Sequence, residues 1–161
     1  LGDVYKRQGA ECVAITSIAG HFCIEKFVEN SVLPIVDLLS CVRAEVENKG
    51  YKKIGILGTK PVMESKFYSV IKSAEIVLPE GDLLEDVHNA YVEMATSGHA
   101  SEDQKLVFDA ACNQFITKNK VDAVMLGGTD LALVYNPNNV DFTLVDCAAV
   151  HVEELFRLHS K

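Results

Sequence analysis

From Tyr51 onward, short apolar runs alternate with longer stretches in which apolar residues recur every three or four positions. That alternation predicts a parallel sheet covered by helices. Ile54 to Leu57, Glu75 to Leu78, Ala123 to Leu126 and Phe142 to Val145 are the expected strands. Met63, Phe67, Ile71 and Ala74 keep helical spacing after the first strand, and Leu84, Val87, Tyr91 and Met94 do so after the second. Ser101 to Gln104 reads as a capping box for a helix whose stripe is Val107, Ala111 and Phe115. A last helix is expected to turn Ala148, Val152, Leu155 and Phe156 inward. Ahead of this unit, Cys12 to Ile15 is a predicted strand, and Val32, Val36, Leu39, Val42 and Val46 mark a long helix. The boundary falls at Asn48 to Gly50.

Composition narrows the class of protein. The 161 residues, 48% hydrophobic and 24% charged, suit one or two small globular domains, and no apolar run is long enough to cross a bilayer. A formal net charge of -8 argues against non-specific nucleic-acid binding. It leaves room for a small anionic ligand, because helix termini hold carboxylates locally. The five cysteines are an odd number without disulfide or metal spacing, which predicts a reducing, cytoplasmic setting. The opening LGDVYKRQ has neither signal-peptide nor transit-peptide organisation. Residues 1–8 read as a foreign leader on a fragment, since the strand at Cys12 to Ile15 needs neighbours that this stretch does not supply.

The run VDAVMLGGTDL, residues 121–131, reads as a buried strand ending in a Gly-Gly-Thr-Asp turn. In open α/β sheets ligands lie at the carboxyl ends of such strands. With GAECVAITSIAGH (9–21), IGILGTKPVMESKFY (54–68) and DFTLVDCAAVH (141–151), it resembles the aspartate/glutamate racemase family, in the correct order and over most of the chain from Gly9. The resemblance implies an α/β architecture, a parallel sheet flanked by helices, in which two pseudosymmetric domains hold the site between them. Residues 1–48 would then be the C-terminal part of an incomplete first domain, 49–145 the second, and 146–161 a closing helix that returns to the first. It also implies a small acidic amino acid or related carboxylate as ligand and chemistry without pyridoxal phosphate or any other cofactor. A homodimer is left open.

The chemistry departs from that pattern. Family members racemise with two cysteines on opposite faces of the α-carbon, and here those positions are Ser17 and Gly128. A thiol has a reference pKa of about 8.5, whereas an unactivated hydroxyl is nearer water's 15.7, so forming the base costs roughly 10 kcal/mol rather than about 2. Ser17 therefore needs an activator, and His21 is the near candidate. The resemblance makes Ser17, His21 and His151 the candidate catalytic residues, with Thr59, Ser65, Gly128, Thr129 and Asp130 around the substrate. Structural readings stand beside these. Gly127 and Gly128 suit a positive-φ turn, Thr59 and Ser65 suit helix caps, and both histidines suit helix starts. Cys23 and Cys147 are candidates to replace a lost thiol, or small buried hydrophobes. Gly55, Gly58, Thr59 and Lys60 lack phosphate-loop spacing, so no nucleotide is implied. The histidines, with His99 and His159 expected in solvent, lack metal-ligand spacing, and no metal is expected. Three classes stay open: an altered racemase-like isomerase, a one-sided lyase, decarboxylase or hydrolase, and a non-catalytic small-acid binder. Ser17→Cys with Gly128→Cys is expected to raise racemisation more than either change alone.

Overall fold

The computed structural model describes residues 2–160; Leu1 of the expected leader and Lys161 lie outside them. After the short helix α1 (Gly2–Arg7), strand β1 (Val13–Ala14) pairs in parallel with β2 (Ile35–Val36). A 3-10 turn (Ala19–Cys23) and α2 (Ile24–Asn30) connect them, and α3 (Leu38–Lys49) follows β2. The larger sheet contains β3 (Lys53–Gly58), β4 (Glu75–Val77), β5 (Ala123–Gly127) and β6 (Leu144–Asp146), all parallel and in the order β4-β3-β5-β6. Its helices are α4 (Lys60–Glu64), α5 (Leu83–Ser97), α6 (Glu102–Asn113) and α7 (Cys147–His159).

The central pair explains itself. Ile54, Ile56 and Leu57 of β3 and Val124, Met125 and Leu126 of β5 are buried, as continuous apolar runs are when helices cover both faces of a parallel sheet. Asp122 fastens the entry to both strands, its Oδ2 accepting the N–H groups of Lys52 at 2.7 Å and Lys53 at 2.8 Å. From β3 the chain goes out to β4 and then returns to the opposite side as β5. The topological switch point therefore lies between β3 and β5. The capping box forms as expected, with Ser101 Oγ accepting from Gln104 N at 3.2 Å and Gln104 Oε1 accepting from Ser101 N at 2.9 Å. Among the described residues no helix is long and apolar enough to cross a membrane.

Three expected elements differ. The long helix from Val32 does not form, because Pro34 disfavours helix at the residue before it, and Ile35–Val36 become β2. This strand is the neighbour that β1 needed. Helix α3 starts only after Asp37, whose carboxylate accepts from Leu39 N at 3.1 Å and Ser40 N at 3.2 Å. The helix expected through Met63, Phe67, Ile71 and Ala74 stops at Glu64, since Lys66, Phe67, Tyr68 and Ser69 are all left-handed, with φ of 51, 56, 53 and 56°. Helix α7 also faces differently. Val152 is 62% and Phe156 71% exposed, while Cys147 and His151 point inward and the helix packs on α3.

Candidate functional site

Strands β3 and β5 run in register to their ends, Leu57 beside Leu126 and Gly58 beside Gly127. Thr59 and Gly128 consequently leave the sheet side by side at the switch point. Gly127 is required by close approach, because a Cβ there would lie 2.6 Å from the Leu57 carbonyl oxygen. The positive-φ reading of these glycines is wrong: Gly128 is extended at φ -153°, and Gly127 is not among the positive-φ residues. What excludes a side chain at Gly128 is Tyr91 of α5. A Cβ built there would stand 2.2 Å from Tyr91 Cε2, 2.4 Å from Cζ and 2.5 Å from the phenol oxygen.

Tyr91 is 8% exposed and donates its hydroxyl to Asp130 Oδ2 at 2.8 Å. Burial and then this carboxylate push the phenol pKa far up. Thr129 and Asp130 are half-buried and open the 3-10 turn Thr129–Leu133. Thr59 stands at the N-cap of α4 without bonding the helix end through its side chain. The next backbone N–H, of Lys60, donates to His88 Nδ1 at 3.2 Å, so α5 reaches the carboxyl ends of both central strands through His88 and Tyr91. Ser65 is not a cap of the helix start. Its hydroxyl lies at the other end of α4, donating to the Val62 carbonyl at 3.0 Å and accepting from Tyr68 N at 3.0 Å.

A second group gathers where β1 and β2 end. Ser17 is exposed, and its backbone carbonyl, not its hydroxyl, receives His21 Nδ1 at 2.8 Å. A carbonyl only accepts, so the Nδ1 proton is used there and His21 is not posed to activate the Ser17 hydroxyl. His21 is 2% exposed; its Nε2 is buried without a hydrogen-bond partner, 3.8 Å from Asp37 Oδ1. His151 donates from Nε2 to the Val36 carbonyl at 2.8 Å, which ties α7 to β2. Val36 and Asp37 are consecutive, so both imidazoles meet the end of β2. Tyr68, placed by the left-handed turn, donates to the Ala19 carbonyl at 3.3 Å, and burial raises its phenol pKa.

The cysteines offer little to this arrangement. Cys147 is fully buried, and burial followed by the charge of Asp146 raises its thiol pKa well above the usual range. Cys23 donates its thiol to the Gly20 carbonyl at 3.5 Å within its own turn. His99 and His159 are exposed. Among the described residues no cluster of three or more His, Cys, Asp or Glu side chains is arranged to hold a metal ion.

Tyr91, His88, Asp37 and Tyr68 were not singled out from the sequence. The sequence places Tyr91 in an apolar stripe, although a buried tyrosine also needs a partner for its hydroxyl. Its i, i+3 relation to His88 was the available signal, as Pro34 three residues ahead of Asp37 was for the cap of α3.

An open parallel sheet with a Gly-Gly-Thr-Asp turn at its switch point has the form of a racemase-type α/β protein. The model of the Asp/Glu/Hydantoin racemase family matches residues 1–155, and the chain belongs to that family. Its fold is similar to that of an aspartate racemase homologue from Pyrococcus horikoshii OT3, at TM-score 0.84 and 24% identity, over 99% of this chain and 71% of that one. It is similar also to glutamate racemase from Francisella tularensis in complex with D-glutamate, at TM-score 0.69 and 18% identity, over 98% of this chain and 60% of that one. Picrophilus torridus aspartate racemase is a third, at TM-score 0.68 and 16% identity, over 94% and 65% of the respective chains. At these identities the likeness establishes the fold.

Proposed function

We propose that this chain binds a small acidic amino acid or related carboxylate at the strand ends that carry Thr59, Gly128, Thr129 and Asp130, without pyridoxal phosphate, and does not perform two-base racemisation. Family membership and the D-glutamate complex of the Francisella relative support the ligand class. The observation that carries the reading is the place of Tyr91, whose ring fills the space that any side chain at Gly128 would need. Position 128 itself carries no thiol, and a side chain there would require that ring to shift. On the other side Ser17 lacks a base at its hydroxyl, because His21 is bonded to the backbone carbonyl. A reaction that moves one proton off the α-carbon and returns another from the opposite face needs both groups.

In this reading residues 1–48 are part of a first domain, 49–145 form the second, and 146–161 return to the first. The ligand lies between them, with Ser17, His21 and His151 on the first domain's side. Calorimetric titration with aspartate, glutamate and succinate tests it, with measurable heat for at least one acid expected. No binding of any of the three would overturn the proposal. A one-sided lyase or decarboxylase is the second reading. It is favoured by the Tyr91 phenol, a proton-bearing group beside Gly128.

A further inference from the structure

Resting on that reading, we propose that Tyr91 is a positioning residue of the turn at the ends of β3 and β5: its ring occupies the room a side chain at 128 would need, and its hydroxyl fixes the Asp130 carboxylate as an acceptor for a ligand cation such as an ammonium group. The two halves of the inference come from one side chain. The phenol carbon and oxygen atoms lie 2.2 to 2.5 Å from where a Cβ at Gly128 would stand. The same oxygen donates to Asp130 Oδ2 at 2.8 Å. Asp130 follows Gly128 by two residues, so the ring and the carboxylate border one turn.

Asp130 is half-buried, and its other oxygen, Oδ1, has no protein partner among the described residues. It is also absent from the buried unpartnered atoms, so a ligand or solvent can reach it. A carboxylate with one oxygen tied down has lost rotational freedom before the ligand arrives, and binding then costs less ordering entropy. A charged hydrogen bond at the remaining oxygen discriminates strongly between a ligand that brings an ammonium and one that does not. Without the phenol, Asp130 would be free to turn toward water, and that discrimination would fall.

The test is a titration series with aspartate, malate and succinate, which share a four-carbon dicarboxylate skeleton and differ at one substituent. The wild-type chain is expected to bind aspartate at least tenfold more tightly than succinate or malate. Tyr91→Phe keeps the ring over Gly128 and removes the hydroxyl; its preference for aspartate over succinate should shrink to threefold or less. Asp130→Asn should lose the preference likewise, and it supplies the answer if Tyr91→Phe does not fold. Equal binding of all three acids by the wild type, or an undiminished preference in a folded variant, would overturn the inference while leaving acid binding intact. Failure of all three to bind would overturn both readings.

Discussion

At position 128 there is only a hydrogen atom where a side chain would stand, and the space is taken by the ring of Tyr91. Position 128 is thus coupled to α5, and a cysteine placed there must displace the Tyr91 ring. Forcing a larger side chain into a packed site typically costs 1–3 kcal/mol, so Gly128→Cys should destabilise the protein by about that amount in urea unfolding. Tyr91→Ala with Gly128→Cys should cost less than the sum of the single changes, with a coupling of about 0.5–3 kcal/mol. Strict additivity would show that the two sites do not share space. For Ser17→Cys and Gly128→Cys together to raise racemisation, the Tyr91 ring must shift. This was not legible in sequence, because a tyrosine on an apolar stripe does not announce which turn its ring covers. The turn that carries Thr129 and Asp130 was legible from the strand that leads into it.

The elements that were easiest to foresee are those whose local signals agree. Strands β3 and β5 combine buried apolar runs with turn residues, and α6 carries both halves of a capping box. Where periodicity spoke alone it misled: it continued a helix through Pro34 and through Lys66, and it misplaced the inward face of α7. The left-handed turn offers a direct check. A non-glycine residue in that region costs roughly 1–2 kcal/mol, so Lys66→Gly, at an exposed position, should raise stability by up to about 1 kcal/mol after the added entropy of the unfolded chain. A loss of stability would mean that the Lys66 side chain holds the turn. Asp122 gives a pH test at the entry to β3. Its two backbone hydrogen bonds lower its pKa below the ordinary carboxylate value. A depressed folded-state pKa contributes stability above the unfolded value and loses it as pH falls through the folded one. Asp122→Asn should therefore lower the melting temperature near neutrality, with the difference from wild type vanishing in strong acid. A difference that persists there would assign the effect to shape rather than charge.

Across the whole molecule the two sheets are unequal. Strand β3 is bonded on both sides, by β4 and β5, whereas among the described residues β1 has only the two-residue partner β2. Hydrogen exchange should be slow at Ile54 to Leu57 and fast at Val13 and Ala14, with equal strong protection contradicting this ranking. The two groups of candidate residues belong to these two sheets, and Tyr68 on Ala19 and His151 on Val36 tie the segments around them together. Two-base chemistry asks for a proton-transfer group on each side of the substrate. The most direct measurement is proton NMR of aspartate and glutamate in deuterated water with the protein present. The account predicts ligand line broadening that reports binding, with the α-proton signal and the enantiomer unchanged. Exchange of the α-proton with inversion, at the 1 to 1000 per second typical of enzymes, would contradict it.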